Sequence, residues 1–160
     1  MKINKKHLFF LIPIGILEIV MLVLECLPSG VEMQFVFPDS ATGNFITNVN
    51  YYPYFSDMPY GYGNVFPVYI GILTLAIIIL WIANLFADKK GINVSIFVMT
   101  IVKFIFSAVE LIFSKTAINW TTFAISLVLA IYCVAKAIVN KEFSRSKEKN
   151  ADTAEELEQN

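Results

Sequence analysis

Four apolar runs, each long enough to cross a bilayer, constrain this chain more than any other feature. Leu8–Leu27, Phe66–Ala87, Ile92–Ser114 and Ile118–Val139 are each roughly 20 residues long, enough to span about 30 Å of hydrocarbon at 1.5 Å per residue. With 57% of its 160 residues apolar and 16% charged, the chain lies outside the range of ordinary soluble domains. We therefore expect an all-α membrane protein, a bundle of four transmembrane helices forming one domain over residues 1–139. The net charge of −1, with basic residues confined largely to loops and tails, gives no basis for nucleic-acid binding.

Lys2, Lys5 and Lys6 stand before the first run like the basic start of a signal peptide. That run carries Glu18 and Glu25 and reaches Pro28-Ser29-Gly30 without a small-x-small cleavage site, so an uncleaved helix is expected. Cys26 follows a glutamate, which does not fit a lipoprotein motif. The segment Pro28–Val65 has no Lys or Arg, whereas Lys89 and Lys90 join the second and third runs and Lys141, Arg145, Lys147 and Lys149 follow the fourth. The positive-inside rule then places both termini in the cytoplasm and the loop 28–65 outside the cell membrane.

The outer loop alternates in polarity over Val31–Phe37 and Phe45–Tyr51, with turn formers between them from Pro38 to Gly43. This pattern predicts a β-hairpin, which must pack on helix ends or on a partner, because a free hairpin is marginal in water. Beyond it lie Tyr51, Tyr52, Tyr54, Phe55, Asp57, Tyr60 and Tyr62. They read either as an interfacial aromatic belt or as a recognition surface for a lipid, glycan or protein.

Elsewhere the polar positions suggest anchoring and packing. Trp81 and Trp120 suit membrane interfaces, Asn84 suits one interhelical hydrogen bond, and Ser126 with Ala130 allows close helix approach. Asn119-Trp120-Thr121 matches a glycosylation acceptor by chance, in a tight turn beside the membrane. The charged tail 140–160 is expected to be cytoplasmic, and either disordered or a frayed helix.

Cys26 and Cys133 fall at different depths, so no disulfide joins them. The one histidine, His7, stands at the first helix boundary, and no Cys-x-x-Cys, Walker loop or Gly-x-Ser-x-Gly occurs. The lack of these motifs argues against catalysis by serine-histidine, zinc or nucleotide. We expect a non-enzymatic protein with no cofactor and no metal.

What remains is a set of charges inside the apolar runs, where an ionisable side chain costs about 2.5–3.5 kcal/mol on insertion scales. Counted from the cytoplasmic ends, Glu18 in the first run and Lys103 in the third lie at matching depth near the midplane. Glu25 and Glu110 each stand seven residues further out, about 10.5 Å higher on nearly the same helical face. If the first and third helices are neighbours, Glu18 pairs with Lys103 while Glu25 and Glu110 converge at the outer mouth. Two readings stay open. The charges either fix helix register, or form a polar track in which Glu25 and Glu110 share a proton or hold a hard cation.

The layout of four helices, cytoplasmic ends and a long first outer loop resembles the claudin-like tetraspan proteins. Their paired cysteines and tryptophan signature are missing, because Pro28–Val65 has no Cys and no Trp, so no pore or junction role carries over. Small multidrug exporters also place a glutamate in the first of four helices, as Glu18 is here, but their short loops do not match Pro28–Val65. The stretch from Tyr54-Phe55-Ser56 through Pro59-Tyr60-Gly61-Tyr62-Gly63-Asn64-Val65-Phe66-Pro67 is similar to small uncharacterised bacterial four-helix membrane proteins, and this likeness implies no activity.

The expectation is a multi-pass membrane protein that acts by interaction with a partner protein, a second copy or lipid through its aromatic outer loop. The alternative is a small transporter or ion-conducting oligomer using Glu18, Glu25, Lys103 and Glu110, and an embedded lipid-modifying enzyme comes third.

Overall fold

The apolar runs form helices and the alternating loop forms strands. A computed structural model of the chain describes residues 5–39, 43–56, 65–87 and 90–158, with side chains over 11–39, 43–56, 65–87 and 91–139. Its elements are α1 (Lys5–Glu25), β1 (Val31–Pro38), β2 (Phe45–Tyr52), α2 (Phe66–Phe86), α3 (Lys90–Phe113) and α4 (Ala117–Glu158). Three of these helices are long and apolar enough to cross a membrane, over Phe66–Phe86, Gly91–Phe113 and Ala117–Val139.

The helices close into a ring. α1 packs on α2 and α4, and α3 packs on the same two. The first and third helices therefore face each other across the bundle axis, whereas the depth argument took them as neighbours. Large apolar side chains such as Ile72, Ile79, Ile105 and Ile131 point outward and are exposed. The interior holds an apolar cluster of Ile14, Ile77, Ile96, Leu129 and Cys133, together with many buried polar side chains. Such an inverted pattern suits a bundle whose outer face meets hydrocarbon, where apolar exposure costs nothing.

Close approach between helices depends on particular residues. The α1 helix presents Gly15 to Trp81 of α2, and a Cβ at that glycine would lie 2.1 Å from the indole ring. Trp81 Nε1 donates to the Leu11 carbonyl at 2.8 Å. The residue read from sequence as an interface anchor is thus a packing element between α1 and α2. At the same end, Asn84 Nδ2 donates to Asn93 Oδ1 at 3.0 Å, and Lys136 Nζ donates to that same oxygen at 3.2 Å. This joins α2, α3 and α4. Trp120 is exposed at the hairpin end of α4, as an interfacial ring requires.

The hairpin is antiparallel, with Val31 opposite Tyr52 and Pro38 opposite Phe45. Asp39 and Gly43 close its turn through Gly43 N donating to Asp39 O at 2.9 Å, with Gly43 at φ +68. A side chain is disfavoured in that left-handed conformation. Alternation turns Val31, Met33 and Phe35 inward, where they cluster with Tyr54 and with Ile70 of α2. The β1 strand is tied further to the α3–α4 connection, where Glu32 N donates to Ser114 Oγ at 3.0 Å and Thr116 Oγ1 donates to Gly30 O at 2.9 Å.

Disorder or a frayed helix was expected in the charged tail, and α4 runs on as one helix to Glu158. From Ala117 to Glu158 the sequence contains no Gly or Pro, and its Lys, Glu, Ala and Arg are good helix formers. An already nucleated helix propagates through such a segment at little cost.

Candidate functional site

The polar side chains inside the bundle lie on stripes with alternating spacings of three and four residues. On α3 the stripe is Thr100, Lys103, Ser107, Glu110 and Ser114, all buried. On α4, Asn119, Thr122 and Ser126 are buried likewise, and α1 contributes Glu18 and Glu25. This 3-4 spacing keeps one face of each helix turned toward the axis of the bundle.

At mid-depth, Lys103 Nζ donates to Glu18 Oε2 in an ion pair whose two side chains are both fully buried. The pair spans the axis from α3 to α1. Side by side, packed helices are 8–10 Å apart, so a diagonal is roughly 11–14 Å, and only two long side chains can bridge it. Seven residues further along α3 and α1, the outer carboxylates have separate anchors. Thr74 Oγ1 of α2 lies 2.7 Å from Glu25 Oε1. Asn119 Nδ2 of α4 approaches Glu110 Oε1 at 3.4 Å and donates to the Ser114 carbonyl at 3.0 Å.

Tyr54 joins these two arms. Its backbone N–H donates to the Glu25 carbonyl at 3.0 Å, and its phenol donates to Asn119 Oδ1 at 2.7 Å. Burial pushes the Tyr54 phenol above its usual range. The neighbouring Thr122 hydroxyl opposes that shift, and the carboxylates of Glu110 and Glu25 add to it. Both outer glutamates thus act on one phenol. Thr116 completes the cluster by accepting from Asn119 N at 3.1 Å, which caps the first turn of α4.

Placement divides the residues proposed from sequence. The structure brings Glu18 and Lys103 into direct contact and sets Glu25 and Glu110 around Tyr54. Of the outer-loop aromatics, Tyr51 is exposed and Tyr52 half-buried, while Phe55 lies over Gly71, where a Cβ would meet its ring at 2.6 Å. Tyr54 is buried and is therefore a structural joint rather than part of a recognition surface. Asp57, Tyr60 and Tyr62 lie outside the described residues. Asn119 is buried and bonded on both sides of its amide, so it is not presented as a glycan acceptor.

Sequence reasoning passed over Ser107, Ser114 and Thr122, and the buried roles of Thr74, Asn119 and Tyr54. The signal for several of them was the 3-4 spacing from Lys103 and Glu110, which extends in both directions along α3. Cys26 and Cys133 are both free. Among the described residues no group of three or more His, Cys, Asp or Glu side chains is placed to hold a metal ion. No family model matches the chain, and neither a curated protein nor a solved structure matches it.

Proposed function

We propose that this is a four-span integral protein of the cell membrane that acts by binding another membrane protein through its outer hairpin. Ring closure by α1 beside three span-forming helices supports four crossings. The absence of Lys and Arg from Pro28–Val65, set against the basic residues at the other end, supports cytoplasmic termini and an external hairpin.

One observation carries the interaction reading. The hairpin is held rigidly to the bundle through β1, yet β2 stands away from it, with Phe45 at 74%, Ile46 at 54% and Tyr51 at 54% exposure. The register places Val36, Phe45 and Tyr51 on the outward face and Phe37 with Ile46 on the opposite one, Val36 and Phe37 both being more than half exposed. Exposed apolar side chains on the outward face of a hairpin outside the spans mark a surface that becomes covered. Because the described sheet has two strands, β2 also has an edge with free backbone groups, the feature that accepts a strand from a partner.

Native gel electrophoresis of gently solubilised membranes tests this. The wild-type chain should migrate in a complex with a second protein, and Phe45→Asp combined with Tyr51→Asp should release it as a free chain of unchanged thermal stability. Co-migration unaffected by both substitutions would refute the docking role.

A further inference from the structure

Glu25 is fully buried, and its Oε2 has no hydrogen-bond partner. Glu25 ends α1 on the hairpin side of the bundle, and the next residue, Cys26, is exposed. Two turns back on α1, Glu18 Oε1 is also buried and unpartnered, while its other oxygen holds Lys103. Buried polar atoms without partners cost about 1–3 kcal/mol each, and two of them on one stripe point to a ligand that hydrogen bonds between protein groups do not account for.

Charge identifies its class. The fully buried acidic and basic side chains among the described residues are three carboxylates, Glu18, Glu25 and Glu110, against one ammonium, Lys103, beside the Tyr54 phenol. The central pair is neutral as a unit, and the side chain bonded to Glu25 is the neutral Thr74 hydroxyl, in a medium that penalises bare charge by several kcal/mol. A hard metal cation would need about six oxygen ligands, and the Lys103 ammonium, whose charge reaches Glu25, would repel it. A proton needs one oxygen and no coordination shell.

Thr74 supplies the receiving geometry. Its hydroxyl lies 2.7 Å from Glu25 Oε1 and 3.1 Å from the Ile70 carbonyl, but it carries one hydrogen. If that hydrogen goes to the carbonyl, which can only accept, the shorter contact is made by a hydrogen on Glu25. If it goes to Glu25, Oε1 accepts, and a proton on the group sits on Oε2, the oxygen without a protein partner. Either state leaves the Thr74–Glu25 bond intact.

We propose that Glu25 is the centre of a proton-binding site, with the proton carried on Oε2 and Thr74 holding Oε1 as the proton enters and leaves. On release, the Glu25 Oε2–H bond breaks, water at the hairpin end takes the proton as hydronium, and Thr74 keeps its bond to Glu25 Oε1. The groups facing the site are Glu18 on its own helix, Lys103 from α3, neutral Thr74 from α2 and the Tyr54 phenol from the loop. On the α4 side stand the neutral Asn119 and Thr122, reached through Tyr54. The site does not depend on the docking role of the hairpin.

Infrared difference spectroscopy on the full chain in lipid vesicles, stepped in pH in H2O and D2O, reads this directly. The wild type should show a carboxylic-acid C=O band that shifts in D2O. Glu25→Gln should lose that component, Glu110→Gln should keep it, and Thr74→Val should move its frequency by removing the hydrogen-bond partner. A wild type without such a band, or a band unchanged by Glu25→Gln, would overturn the proposal. Should Glu25→Gln fail to insert, Thr74→Val decides alone: a moved band supports the site and an unmoved one overturns it.

Discussion

Lys103 of α3 reaches across the bundle axis to Glu18 of α1, and both side chains are withdrawn completely from solvent. The two helices it connects are not packing neighbours, so this ion pair is a direct tie between opposite sides of the ring.

Removing one member leaves the other charge alone in a dry interior. Glu18→Gln or Lys103→Met should each destabilise the protein by about 3–5 kcal/mol. The combination Glu18→Gln with Lys103→Met should recover most of that loss, because no uncompensated charge remains. Denaturant unfolding of the three variants in one detergent gives the double-mutant cycle, and additive losses would mean that the pair is not coupled.

Tyr54 makes alkaline stability a second readout. Its phenol titrates higher in the folded chain than in the unfolded one, mainly through burial. The resulting stabilisation is complete below the unfolded value of about 10 and declines as pH rises toward the folded value. Tyr54→Phe should therefore flatten the alkaline limb of the stability curve. At pH 7 it should cost about 1–3 kcal/mol, because Asn119 Oδ1 loses its buried donor. Thermal unfolding between pH 7 and 11 measures both effects.

The contact of Gly15 with Trp81 leaves no room for a side chain. In Gly15→Ala the new Cβ would displace the indole from the Leu11 carbonyl, at a cost of about 1–3 kcal/mol. Pairing it with Trp81→Leu should restore part of the loss, because the obstructing ring is gone. Tryptophan fluorescence of Gly15→Ala should report a changed environment for Trp81 against the constant signal of Trp120.

Thr116 has two tasks, capping α4 and holding Gly30 of the hairpin base. Thr116→Ala should cost about 1–2 kcal/mol. Amide hydrogen exchange should then quicken at β1 as well as in the first turn of α4. Quickening confined to α4 would show that the Gly30 bond adds nothing to hairpin docking.

Much of the architecture could be read from residue patterns, because the solvent of a membrane helix imposes a simple rule on length and polarity. Alternation over Val31–Phe37 and Phe45–Tyr51 located the hairpin, since a period of two has one structural meaning in so short a segment. Matching depth brought Glu18 and Lys103 together, because rise per residue is fixed even when the neighbour relation is not. The order of helices around the ring was not legible, and the pair proved to be diagonal. Nor could sequence distinguish Tyr54 from Tyr51, since both lie in one aromatic stretch. Which of them turns inward is decided by the Glu25 carbonyl and Asn119, distant in sequence. Trp81 was misread for a related reason: an indole near a helix end suits an interface, and only Gly15 on another helix creates the space that draws it inward.

The hairpin's docking role is tested most directly by photocrosslinking in intact membranes, with the photoreactive residue placed at Phe45 or Tyr51 and, as a control, at the outward-facing Ile79. The account predicts a discrete protein adduct from both hairpin positions and lipid adducts from the control. Lipid adducts alone from Phe45 and Tyr51 would contradict it.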